Sequence, residues 1–163
     1  MTKELEPLEQ WTIEYWIKAR KYSKKYYREN YKKIKEYARQ YYSKRYKTDL
    51  KFNLNSRMGS LMWYSLKKNK AGRTWKSLVS YNLNDLIKHL KKTMPEGYTW
   101  QDYLEGKLHL DHKIPISAFN FTKSEHTDFK RCWALSNLQL LPARENLVKS
   151  NKLTKPFQLA LQI

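Results

Sequence analysis

No glycine or proline occurs between Pro7 and Gly59. A stretch that long without either residue lacks the usual means of turning the chain, so it predicts one long helix from about residue 8 to residue 47. At ~1.5 Å per residue such a helix would reach roughly 60 Å. Its side chains are just as one-sided. Residues 18 to 47 carry thirteen Lys/Arg against Glu29 and Glu36, a net +11, while the whole 163-residue chain has a formal charge of +18. Nine tyrosines fall between residues 15 and 46. On a helix, Tyr15, Tyr22, Tyr26, Tyr37 and Tyr41 share an arc of about 100°, and most of the cations lie elsewhere. Two readings stay open. The segment is a cationic rod that tracks a polyanion, with Lys24, Lys25, Arg28, Lys32, Lys35 and Arg39 as DNA-phosphate contacts. Otherwise it is a packing helix whose tyrosines bury against the remainder. An aromatic face of tyrosine, with few Leu or Phe, argues against a membrane-surface helix.

The rest of the sequence narrows the class. No apolar run is long enough to span a bilayer, so no membrane partner is expected. The opening "MTKELEPLEQW" lacks a basic region followed by an apolar one, so no secretory signal is expected. Cys132 is the single cysteine. That rules out an internal disulfide and a Cys-rich zinc knuckle, and makes neither a disulfide-linked partner nor a structural zinc an expectation. A reducing cytoplasm, in a bacterial cell or a phage-infected host, is the expected compartment. Residues 50 to 95 read as two or three short helices, with Asn82 or Asn84 as N-cap before "NLNDLIKHLKKTM" and a break at Pro95 and Gly97. His89 in that last helix reads as structural.

The stretch "LHLDHKIPI", residues 108 to 116, alternates apolar and polar residues as a half-buried strand does. Alternation places His112 on the Leu108/Leu110 side and Asp111 with His109 on the other. A second strand, Leu138 to Leu141, turns at Pro142 into a helix. The corners hold Asp111, His112, Asn137, Asn146 and Lys149. Those residue types suit phosphodiester hydrolysis. A neutral imidazole can take a proton from water near neutral pH. A hard divalent ion wants oxygen ligands and keeps several waters, so one carboxylate and one amide oxygen suffice. The bland alternative is an Asp–His pair at a turn, with asparagines capping local backbone.

The ordered set "LDHKIP" and then "SNLQLLPARENLVKS" resembles the HNH endonucleases, whose ββα-metal motif carries an Asp–His pair on its first strand. The resemblance covers about residues 96 to 152. "TMPEGYTW" and the basic N-terminal half are also similar to free-standing phage and bacterial members. It implies His112 as general base, Asp111 and Asn146 as ligands of Mg²⁺ or another divalent ion such as Mn²⁺, and Asn137 as the brace of the loop that orients the base. Asn146 stands where the family has its final His, an H-N-N variant. The gap between His112 and Asn137 is long, which implies an inserted loop. His109 is a DNA contact, a third ligand or an exposed strand residue. Arg144, Lys149 and Lys152 flank the helix as phosphate contacts. Trp133 and Leu135 are expected to plug the core beneath the motif, and Cys132 to be buried. The expected architecture is α+β and mostly helical. It comprises a basic helix (1–49), a helical region (50–95) and a C-terminal ββα-metal nuclease motif (96–163). The competing reading is a non-catalytic, basic nucleic-acid-binding protein.

Overall fold

The computed structural model describes residues 7–153 and Phe157, with side-chain surroundings from residue 11 onward; the outermost parts of the 1–49 and 96–163 segments lie outside them. The chain is α+β, with helices and one small antiparallel sheet. Helix α1 runs Pro7–Thr48, within a residue of the expected limits. Pro7 sits in its first turn, where a missing N–H costs nothing. Residues 1–44 and 45–163 form two separate units.

Within the first unit, α1 is held by local contacts. Tyr27 and Tyr31 meet edge to face at 5.6 Å, the Lys35 ammonium lies 5.2 Å from the Tyr31 ring centre, and Gln40 Nε2 donates to Glu36 at 3.0 Å. The six candidate phosphate contacts from Lys24 to Arg39 are all exposed, and so is Tyr22, at 72 %. The ion pairs Lys25–Glu29 and Arg39–Glu36 are loose, both at 3.9 Å. Exposed pairs of this kind add little to stability.

The second unit begins within the last turn of α1, at Arg45. Asp49 leaves helical geometry and its carboxylate accepts the Phe52 N–H, starting α2 (Leu50–Ser65). The last carbonyls of a helix lack intrahelical donors. Here the buried Asn53 Nδ2 donates to the Tyr46 carbonyl at 2.8 Å, while its Oδ1 accepts the Tyr103 hydroxyl at 3.0 Å. Helix α3 (Leu83–Lys92) starts from Asn82 in a reciprocal capping box with Asp85 and buries Leu86 and Leu90 one turn apart. Helix α4 (Trp100–Leu104) repeats the device with Thr99 and Asp102. Gly106, at φ +81°, ends α4 in the left-handed conformation glycine favours and turns the chain into the sheet.

Strand β1 (Leu108–His112) pairs antiparallel with β2 (Leu138–Pro142), setting Asp111 opposite Gln139 and His112 opposite Leu138. The long connection is more structured than a loop. It contains helix α5 (Thr127–Cys132), which the sequence reading missed because its six residues are too few to show a periodic face. Helix α6 (Ala143–Lys149) follows β2 directly.

Residues 50–95 and the strand–helix segment share a single core. Leu54, Met58 and Met62 of α2 join Leu86 and Leu90 of α3 and Leu108 and Leu138 of the sheet, all fully buried. The break at Pro95 and Gly97 is thus a turn inside one unit. Trp133 and Cys132 are fully buried in that core, and Leu135 packs half-buried at its edge. His89 Nε2 meets the Leu138 carbonyl at 2.9 Å and ties α3 to β2, a structural role.

Candidate functional site

The site grows from the pleat of β1. Alternate side chains point to opposite faces of a strand. Leu108 and His112 are buried on one face, while His109 and Asp111 emerge half-buried on the other, the face that meets α6. Asn146 and Lys149 are three apart on α6 and so lie on one side of it. Each meets one of the strand residues. Asn146 Nδ2 and His109 Nδ1 are 3.1 Å apart. Lys149 Nζ lies 3.1 and 3.0 Å from the two Asp111 carboxylate oxygens and donates to the His112 carbonyl at 2.6 Å. Gln139, across the ladder, donates to Asp111 at 2.8 Å. The carboxylate and the ammonium are only 11 % and 13 % exposed. Three oxygens thus converge on one positive charge in a sheltered corner.

Asn137 organises the chain on the other side of His112. Its Oδ1 accepts the Ile114 N–H at 2.8 Å, and its Nδ2 donates to the Ile114 carbonyl at 3.1 Å and the Cys132 carbonyl at 2.9 Å. Its own carbonyl accepts the Lys113 N–H at 2.7 Å. One buried amide therefore fixes the segment that follows His112 and joins it to the end of α5.

His112 ends β1 with its ring 4.5 Å from Trp133, edge to face. It is 6 % exposed, and Nε2 is fully enclosed with no hydrogen-bond partner among the described residues. Burial pulls its pKa down to about 4; the Asp111 charge opposes that shift and the Lys149 charge adds to it. The imidazole is neutral at pH 7, with an unused nitrogen.

The expected site residues are therefore gathered in two sets. Asp111, His109, Asn146 and Lys149 share the β1–α6 face, and His112 with Asn137 lies across the strand from them. No hydrogen bond among the described residues joins Asp111 to Asn146, or the His112 ring to Asp111. Arg144 and Lys152 are exposed at either end of α6. His126 precedes α5, where its Nδ1 is 3.4 Å from the Thr122 N–H. The described residues hold no cluster of three or more His, Cys, Asp or Glu side chains. A metal in this corner would thus need amide and carbonyl oxygens beside Asp111.

No family model matches the chain, and no solved structure matches it. It is similar to an uncharacterized protein of Acanthamoeba polyphaga mimivirus, at 24 % identity over 107 residues. The match covers 65 % of this chain and 45 % of that protein, so the chain spans less than half the length of its relative. No helix among the described residues is long and apolar enough to cross a membrane.

Arg57, on α2, escaped the sequence reading. It lines a pocket of about 350 Å³ together with Tyr46, Ser60, Tyr64, His109 and Asn146. Its guanidinium lies 5.7 Å from the Tyr103 ring centre, and no carboxylate among the described residues pairs with it. The only signal for it was a lone cation on an otherwise uncharged stretch of helix, "NLNSRMGSLMW".

Proposed function

We propose that the chain is a metal-dependent DNA endonuclease of the HNH type, in its H-N-N form. The observation that carries this reading is the bonding of Asn137. A buried amide placed beside the second strand locks the backbone after the Asp–His pair, which is the work the resemblance assigns to it. The strand–connection–strand–helix order and the meeting of β1 with α6 support the same reading.

The corner at Asp111 suits a divalent cation. The Lys149 ammonium already stands in for one, held by both carboxylate oxygens and a backbone carbonyl. These are hard oxygen donors of the kind Mg²⁺ takes. Asp111 and Asn146 would hold the ion. When bound, it would neutralise charge on the phosphate and on the leaving oxygen.

The chain's own groups do the rest. His112 is unprotonated at neutral pH because burial disfavours its charged form. Nε2 is enclosed, so the attacking water would give its proton to the ring's other nitrogen, Nδ1. A phosphodiester brought against it raises the basicity of the ring, since a nearby negative charge favours the imidazolium. Trp133 restricts the ring's motion, and Asn137 holds the backbone on which it hangs. Lys149 and Arg57 supply positive charge on the face where the phosphate would lie.

The test is conversion of supercoiled plasmid with Mg²⁺, with Mn²⁺ and with EDTA. Cleavage should need the metal, and His112→Ala should lose at least the ~10²-fold that general-base catalysis supplies. DNA affinity in EDTA should stay near wild type. Cleavage by the His112→Ala protein at the wild-type rate would remove the mechanism. The second reading, a DNA-binding protein without catalysis, is favoured by the ion pair that already neutralises Asp111. It predicts binding without cleavage under every metal condition.

A further inference from the structure

A cleft of about 710 Å³ opens beside the Asp111 corner. Ligand pockets span about 300–1,000 Å³, so it has room for a nucleotide. Its walls combine two chemistries. Lys113 brings a positive charge unpaired among the described residues, beside Arg131 and Lys149, which pair with Asp128 and Asp111. Phe119, edge to face with Phe157 at 4.6 Å, and Leu141 form the body of the wall with neighbouring apolar side chains. No carboxylate among the described residues lines it. Gln139 and Lys149 belong both to the cleft and to the hydrogen bonds on Asp111, so the two sites are continuous.

Paired DNA offers such a cleft little. A duplex presents phosphates and sugars, and its bases stay stacked on one another. Cations alone would serve it, and the Phe119 and Leu141 wall would gain nothing. An unpaired nucleotide offers both a phosphate for the cations and a flat apolar base for the wall, and stacking on an aromatic side chain is worth a large factor in affinity. Lys113 is exposed and makes no ion pair among the described residues, so it is free for a phosphate. We infer that this cleft receives an unpaired nucleotide of the substrate strand beside the scissile phosphate. The preferred DNA is then single-stranded, or carries a bulge or flap. This inference rests on the nuclease reading for its placement, and its test does not.

Binding is measured in EDTA with the full chain, on fluorescein-labelled oligonucleotides of one length at one salt concentration. The probes are a fully paired duplex, the same duplex with one unpaired 2-aminopurine, and the single strand. The unpaired probes should bind about tenfold tighter than the duplex, the order that one stacked base supplies. The 2-aminopurine emission should change as its base leaves one stack for another. Phe119→Ala and Lys113→Glu should each reduce the preference to about twofold or less. Circular dichroism checks that both fold, and exposed Lys113 carries the test if Phe119→Ala does not. Equal affinity for paired and unpaired probes, or a preference that survives Lys113→Glu, overturns the inference. If the preference holds and falls in the variants but no metal supports cleavage, the nuclease reading fails while the cleft remains a nucleotide site. If cleavage occurs with no such preference, only this inference fails.

Discussion

Replacing Asn137 tests the brace directly, because three side-chain hydrogen bonds from a residue 7 % exposed depend on it. Asn137→Ala leaves the Ile114 N–H and the Ile114 and Cys132 carbonyls short of a partner. A lost hydrogen bond costs about 1 kcal/mol, and a buried group left unsatisfied costs about 1–3 kcal/mol. The carbonyls keep a second lone pair, and water can enter part of the space. The expected loss is therefore about 2–4 kcal/mol. Asn137→Asp sharpens the test. It has the same shape and still accepts from Ile114. It also sets a carboxylate oxygen against two carbonyl oxygens, where the amide donated to both. At pH 7 it should destabilise more than alanine does. The folded state disfavours that charge, so the new carboxyl has a raised folded pKa. Its penalty is full above that pKa and lifts as pH falls through it, when the acid O–H can donate again.

Urea unfolding followed by tryptophan fluorescence suits the measurement, with Trp133 buried beside the brace. Each variant must be compared with wild type at the same pH. His112 has a folded pKa pulled below its ordinary value, so wild type itself is fully stabilised above about 6.5 and loses stability as pH falls toward about 4. If Asn137 merely capped a local turn, aspartate would serve about as well as asparagine. An Asn137→Asp protein as stable as wild type, or more stable than Asn137→Ala at pH 7, would refute the bracing argument.

Two further outcomes follow from the geometry. Lys149→Met removes the ammonium that stands on Asp111, so the metal-free protein should melt lower while Mg²⁺ or Mn²⁺ raises its Tm by more than it raises wild type's; a thermal shift indifferent to metal in both proteins would count against the Asp111 corner as a cation site. Changing Lys24, Lys25, Arg28, Lys32, Lys35 and Arg39 to Gln in the full chain should flatten the salt dependence of duplex binding, by up to about 0.9 in log–log slope for each phosphate the helix no longer neutralises; an unchanged slope would leave these residues as solvated surface.

Much of the fold was legible because its signals are local. The missing glycines and prolines gave α1, capping residues gave the start of α3, and alternation gave the two faces of β1. The brace at Asn137 was expected only because the resemblance implies it; in the structure, antiparallel pairing brings the start of β2 to the end of β1 and makes that contact possible. Arg57 could not be found this way. It comes to share a pocket with His109 and Asn146 through the packing of α2 into the shared core, and neither charge nor spacing on α2 records that. The partner of Asp111 was equally hidden. Lys149 stood among the expected phosphate contacts, yet three residues beyond Asn146 on α6 it comes to rest on the carboxylate itself.

That placement makes two expectations depend on each other. Asp111 can hold a divalent ion only as Lys149 withdraws, and Lys149 can meet a phosphate only once it has left Asp111. Both groups are largely shielded from solvent, so leaving either charge alone would be costly. If the corner takes an ion as proposed, its entry and the release of Lys149 toward a phosphate would be most stable as one exchange, so that neither the carboxylate nor the ammonium is left unpaired. The His112 carbonyl, held by Lys149 at 2.6 Å, would lose the same donor in that exchange. On the proposed reading, the backbone at His112 would thus be coupled to occupancy of the Asp111 corner through a single side chain, while Asn137 keeps the following residues in place.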